Sequence, residues 1–113
     1  MKHLFTLTVK HIAALDLDDG MTIKHGVAVE YQTGYSVGLH GVEVDTPAQA
    51  FEAVVAFGGN AGIWVHPQTG KYCVDETVRI QGLEAALLTG KACHQYSIYD
   101  WKHKTPIKCE QSD

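Results

Sequence analysis

His66, Cys73 and Asp75 fall within one stretch, Gly62-Ile-Trp-Val-His-Pro-Gln-Thr-Gly-Lys-Tyr-Cys-Val-Asp75. A thiol, an imidazole and a carboxylate are the parts of a cysteine nucleophile: the base takes the thiol proton and the acid orients the base. The stretch reads as two short strands joined by the turn Pro67-Gln-Thr-Gly70, a hairpin signal. His66 and Asp75 then lie on opposite arms. His66 keeps phase with Trp64, and Cys73 keeps phase with Asp75. Whether these pairs face one another depends on strand register, which the spacing does not set. The plainer reading is a buried cysteine, a histidine flanking a turn and an aspartate at a strand end, in a hairpin that pins Trp64 and Tyr72 into the fold. We adopt it and assign no catalytic residue. A small hydrolase or metal-dependent enzyme using His66 and Asp75, with Cys73, is the alternative.

Other chemistry is less well supported. The seven histidines form no His-x-x-x-His or His-Glu-x-x-His pattern. Asp16-Leu-Asp-Asp-Gly20 is rich in carboxylates but lacks the length and closing glutamate of a calcium loop. Gly58-Gly59-Asn-Ala-Gly62 lacks the Lys-Ser/Thr of a phosphate loop and runs from helix to strand, so it reads as a helix end. Neither a metal nor a cofactor is implied. Near the C-terminus, Tyr96, Tyr99, Trp101, Lys102, His103, Lys104 and Lys108 set aromatics beside cations, which can stack bases and neutralise phosphates. Single-stranded nucleic-acid binding by this strand is a further alternative. The formal net charge of −4 disfavours direct nucleic-acid contact.

The chain of 113 residues fits one domain, expected over residues 1–109, with a mobile tail at 110–113. Hydrophobic residues make up 45%, enough for a packed core. The three cysteines are widely spaced and form no Cys-x-x-Cys, which points to reduced thiols and a cytoplasmic setting. No signal segment or membrane-length apolar run is expected.

The elements that must position these residues follow from periodicity. Residues 2–12 alternate as a strand, with Phe5, Leu7 and Val9 on one side. Residues 21–31 alternate as a second strand, with His25 on its apolar face. Gln32-Thr-Gly34 turns the chain into a hairpin with residues 35–44. The phase slips in that return strand, so a β-bulge is expected near His40-Gly41. Thr46-Pro-Ala-Gln49 opens a helix with a capping box, Ala50, Phe51, Val54 and Val55 form its apolar stripe, and Gly58-Gly59 ends it. The central hairpin and Thr77–Ile80 follow. A second helix starts near Gly82, faces the core with Leu83, Ala86 and Leu87, and weakens or ends at Gly90. Residues 95–101 form another strand, and Ile107–Cys109 a short edge strand. The expected fold is α+β: a mainly antiparallel sheet of about five to six strands with two helices on one face.

The segments Gly62-Ile-Trp-Val, Thr69-Gly-Lys-Tyr-Cys-Val-Asp75 and Gln95-Tyr-Ser-Ile-Tyr-Asp100 resemble small uncharacterised proteins encoded by bacteriophages and related mobile elements. The likeness covers roughly residues 60–107. His66 stands where many of those proteins carry an acidic residue. The resemblance implies an accessory role without transferable activity; some such proteins block host defence complexes, as anti-CRISPR and anti-restriction proteins do. The expected function is therefore non-catalytic binding to a protein partner, a host nucleic-acid-handling complex in the host cytoplasm. Carboxylates can dock on its basic grooves. The expected binding residues are Asp16, Asp18, Asp19, Glu43, Asp45, Glu76, Tyr99 and Trp101. Pairing of edge strands offers a route to a homodimer.

Overall fold

The computed structural model describes residues 1–109, and the tail at 110–113 lies outside the described residues. The chain order is β1 (Lys2–Thr6), α1 (Val9–Ala13), β2 (Gly20–Lys24), β3 (Val27–Glu30), β4 (Tyr35–Val44), α2 (Pro47–Ala56), β5 (Ala61–Val65), β6 (Tyr72–Ile80), α3 (Leu83–Ala92), β7 (Ser97–Asp100) and β8 (Thr105–Lys108). The strands form one antiparallel sheet in the order β1-β3-β2-β5-β6-β4-β7-β8. The α+β class and antiparallel sheet agree with expectation. The described residues hold eight strands rather than five to six, and three helices rather than two.

Two local turns account for most of the difference. The first strand stops at Thr6, because the next residues wind into α1. His11 Nδ1 accepts from the Thr8 backbone N–H at 3.0 Å, and its ring stacks on Phe5 with centroids 4.0 Å apart. The strand expected over 21–31 is a hairpin. His25 and Gly26 adopt φ of 50° and 78°, the left-handed pair of a type I′ turn, and Lys24 pairs with Val27 across it. Histidine is among the residues that enter this region more readily than most. His25 is thus an exposed turn residue, not one on an apolar strand face. Met21 and Ile23 consequently face the opposite side of the sheet from Val27 and Val29.

The hairpin expected between 21–31 and 35–44 does not form. β3 pairs with β1 and β2, whereas β4 pairs with β6 and β7. The bulge is present: Gly38 opposes Thr77 and His40 opposes Glu76, leaving Leu39 extra. The α2 cap is as read, with Thr46 Oγ1 accepting from Gln49 N at 3.2 Å and Gln49 Oε1 accepting from Thr46 N at 3.1 Å. Gly58 and Gly59 close the helix with positive φ.

One connection dictates the shape of the sheet. β3 and β4 are separated by three strands, about 19 Å across a flat sheet. Register also offsets their joined ends by about 17 Å or more along the strands, because Val29 shares a row with Asp75 while Tyr35 pairs with Ile80. Glu30 to Tyr35 reaches at most about 18 Å. The sheet must therefore roll up, and it does: Tyr31 and Trp101, which follow strands near opposite edges, have ring centroids 5.5 Å apart. Arg79 on β6 holds the connection, donating from Nε to Thr33 O at 3.0 Å and from Nη2 to Thr33 Oγ1 at 3.2 Å.

The helices cover one face. α1 and α2 pack Ile12, Ala50 and Val54 on Ile23, Ile63 and Val74. α3 packs Ala86 on Val37 and Ile98. Val37 and Val74 project from the same side, so both cores lie beneath one surface of the rolled sheet. The other surface is an uncovered trough. Gly90 lies inside α3 rather than at its end, and it is buried because the helix touches the sheet there. An added Cβ would come within 2.8 Å of Cys109 Sγ and 2.9 Å of Ile98 Cγ2. Helix propensity alone makes Gly90→Ala stabilising by about 1 kcal/mol; the close approach reverses the sign, and we expect a net loss of about 1–3 kcal/mol by urea denaturation.

Candidate functional site

The trough is built from rows of side chains that cross the strands. One row runs Gly20, Trp64, Cys73, Glu43; the next runs Thr22, Gly62, Asp75, Gly41. Farther along come Thr77 opposite Gly38, then Arg79, Ser36 and Tyr99. The glycines strip the floor. At Gly41 a Cβ would overlap the Asp75 carboxylate, which lies over the glycine instead.

His66, Cys73 and Asp75 all belong to the trough side of the central hairpin, yet they are not assembled. Asp75 pairs with Gly62, four residues before His66, which sets them about 13 Å apart along the strand. The Cys73 thiol turns toward β4, with Sγ 3.7 Å from Glu43 Oε1. The His66 Nδ1 accepts from Gln68 N at 3.1 Å, and the ring tilts against Trp64 at 5.1 Å. Burial, reinforced by the Glu43 and Asp75 carboxylates, pushes the Cys73 thiol up to about 11. A nucleophilic cysteine requires the opposite shift. Asp75 is raised above its ordinary value by desolvation, against the lowering influence of His40. Among the described residues, no group of three or more His, Cys, Asp or Glu is placed to hold a metal ion.

The residues expected to meet a partner divide into three places. Asp16, Asp18, Asp19, Glu43 and Asp45 gather at the Trp64 end of the trough. Asp18 stands at φ 69° in the α1–β2 turn, and its Oδ1 accepts from Trp64 Nε1 at 2.9 Å. The same turn is tied to β5 by Asp18 N to Val65 O and Val65 N to Asp19 O, at 2.8 and 2.9 Å. Asp45 lies 3.8 Å from the Lys71 ammonium. Glu76 is elsewhere: it projects from the helix-covered side of the sheet, 3.3 Å from His40 Nε2. Tyr99 and Trp101 sit at the far end of the trough. Trp101 is only 8% exposed and donates its Nε1–H to Ser36 Oγ at 2.7 Å, so its ring is committed to the fold.

Trp64 itself is not pinned inside. It is 38% exposed and lies on the opposite side of β5 from Ile63 and Val65. The alternation Ile63-Trp64-Val65 carried this signal, since one face of a strand takes both aliphatics and the other takes the indole. The far end of the trough holds a groove the sequence did not disclose. It encloses about 410 Å³ and is lined by Thr22, Lys24, Tyr31, Ser36, Asn60, Thr77 and Arg79, among others. These residues come from five separate segments, which only the rolled sheet brings together. No helix among the described residues is long and apolar enough to cross a membrane. The chain matches no family model, no curated protein and no solved structure.

Two outcomes test this geometry. At pH 8, alkylation of Cys73 by iodoacetamide, followed by peptide mapping, runs roughly a hundredfold slower than for a free cysteine; Glu43→Gln accelerates it. A folded pKa above the unfolded value means that the contribution of Asp75 to stability is fully present below the unfolded pKa and is lost as pH rises through the folded pKa. Asp75→Asn, which removes the charge, is therefore more stable than the wild type at pH 7, and the advantage shrinks by pH 3 in urea denaturation.

Proposed function

We propose that the protein is a non-catalytic binding protein that docks on a basic protein surface through the Trp64 end of its trough. The observation that carries this reading is the Trp64 indole, part-exposed and held by Asp18 at 2.9 Å, with the Asp16–Asp19 turn tied to β5 beside it and Glu43 in the same cross-strand row. An aromatic anchor with a fixed orientation loses little entropy on binding and contributes disproportionately to affinity. The surrounding carboxylates steer it toward a positive partner and away from phosphate backbones. A nucleic-acid-handling complex has such a surface. The likeness of residues 60–107 to phage-encoded accessory proteins favours inhibition of a bacterial defence complex, of the anti-CRISPR or anti-restriction kind. The separation of His66 from Asp75 and the raised Cys73 thiol weigh against the hydrolase alternative. The buried Trp101 weighs against base stacking on the C-terminal strand.

The test is phage plating on bacteria carrying a CRISPR or restriction system, with the protein expressed in the host. We expect plaque recovery in at least one defence background, and its loss with Trp64→Ala. In binding to the responsible complex, Trp64→Ala costs about 2 kcal/mol or more, roughly a 30-fold loss. Affinity falls as salt rises. Recovery in no background, or a Trp64→Ala variant as potent as the wild type, overturns the reading.

A further inference from the structure

The opposite end of the trough has the reverse chemistry. The chain carries nine Lys and Arg residues against thirteen Asp and Glu. Five of the nine border two adjoining grooves that meet at Tyr31. Lys24 and Arg79 line the groove of about 410 Å³, and Lys2, Lys102 and Lys104 line its neighbour of about 250 Å³. Among the described residues, no carboxylate lies within ion-pair distance of any of these five. The one carboxylate lining either groove is Glu30, in the smaller one. The partners of Arg79 are the neutral Thr33 and Tyr31, the latter with its ring centroid 4.6 Å from the guanidinium carbon, and its charge stays uncompensated. Gln81 adds a third neutral partner, its side-chain oxygen accepting from Nη1 and Nη2 in the amide orientation that satisfies both groups.

The polar lining of the larger groove is weighted the same way. Ser36 Oγ already accepts from Trp101 Nε1, which leaves its own proton free to donate. Thr22 and Thr77 add hydroxyls to the same wall. Both polar atoms of Asn60 are spent on the fold, Oδ1 on His25 N and Nδ2 on Gly58 O. The groove thus offers cations and hydroxyl donors but no carboxylate acceptor. Like charges gathered without counter-charges repel one another, and an anion relieves that repulsion; the concave wall concentrates their field. The volume falls within the range of small-molecule sites.

We propose that this end of the trough binds a phosphate-bearing ligand of about nucleotide size, with the phosphate on Lys24 and the hydroxyls and the remainder against Tyr31. The site is distinct from the acidic Trp64 end and stands whether or not that end docks a partner. The phosphate can belong to a free nucleotide or to the end of a strand that continues into the second groove past Lys102 and Lys104.

The experiment is a two-dimensional amide NMR titration of the full chain with three probes: inorganic phosphate, AMP and octathymidylate. AMP shifts the amides of Thr22, Tyr31 and Thr77 saturably. Lys24→Gln weakens this about tenfold while Lys24→Arg retains it. Lys24 is exposed, so the thermal melt of either variant stays that of the wild type. Tighter binding of octathymidylate than AMP, with steep salt dependence, assigns the phosphate to a strand; equal or weaker binding assigns it to a small molecule. The proposal is overturned if none of the three probes shifts the groove amides, or if the shifts persist unchanged in Lys24→Gln.

Discussion

The connection from Glu30 to Tyr35 is too short for the sheet it has to cross, and the architecture follows from that mismatch. A flat arrangement of these strands would leave the chain unable to reach β4 from β3. Rolling the sheet closes the distance, and Arg79 locks the result by binding Thr33 in the connection itself. The extra residue at Leu39 in β4 and the register shift between His3 and Phe5 in β1 supply local bends that a regular ladder resists. The glycines of the trough floor permit close approach where side chains would collide.

Rolling separates the chemistry of the two surfaces. The outer surface carries the helices and two apolar cores, joined through the long strands β4 and β6, which span the whole structure. The inner surface carries polar groups and glycines, with Val29 and the rings of Tyr31, Trp64, Tyr99 and Trp101 among them. Its Trp64 end is acidic because the Asp16–Asp19 turn is tied to the end of β5. Its Tyr31 end is cationic because the rolled sheet brings Lys2, Lys24, Lys102 and Lys104 to the grooves that Arg79 and Tyr31 line. A chain with net negative charge therefore presents two opposed patches along one trough, and charge separation of this kind orients encounters with partners and ligands. Cys73 lies in the Trp64 row itself and Asp75 in the next row toward the Tyr31 end, and partial burial favours the neutral form of both.

Much of the local structure was legible in the chain because its causes are local. Thr46-Pro-Ala-Gln49 caps α2 with its own side chains, Pro67–Gly70 turns the central hairpin, and the slipped phase of residues 35–44 requires a bulge wherever the strand ends up. The His25-Gly26 turn is hidden along the chain because the apolar spacing across it continues as if no turn were there; the turn rests on two backbone angles, not on composition. Residues 2–12 have the pattern of one strand for a similar reason: alternation persists into a helix too short to establish its own period. Gly90 read as a helix end, since the sheet contact that needs a bare Cα is invisible along the chain.

The sequence by itself determined the α+β class, the antiparallel pairing preference, the central hairpin and the boundaries of α2, all consequences of interactions between residues near one another. Only the tertiary structure decided what the candidate residues can do. Register put His66 four residues beyond the partner of Asp75, turned Cys73 toward Glu43, and sent Glu76 to the other side of the sheet. Strand order and the short crossing then brought Lys2, Lys24, Tyr31, Arg79 and Lys102 around the same grooves from distant parts of the chain. Such meetings depend on which strands are neighbours and by how many residues they are offset. Side-chain periodicity is blind to both.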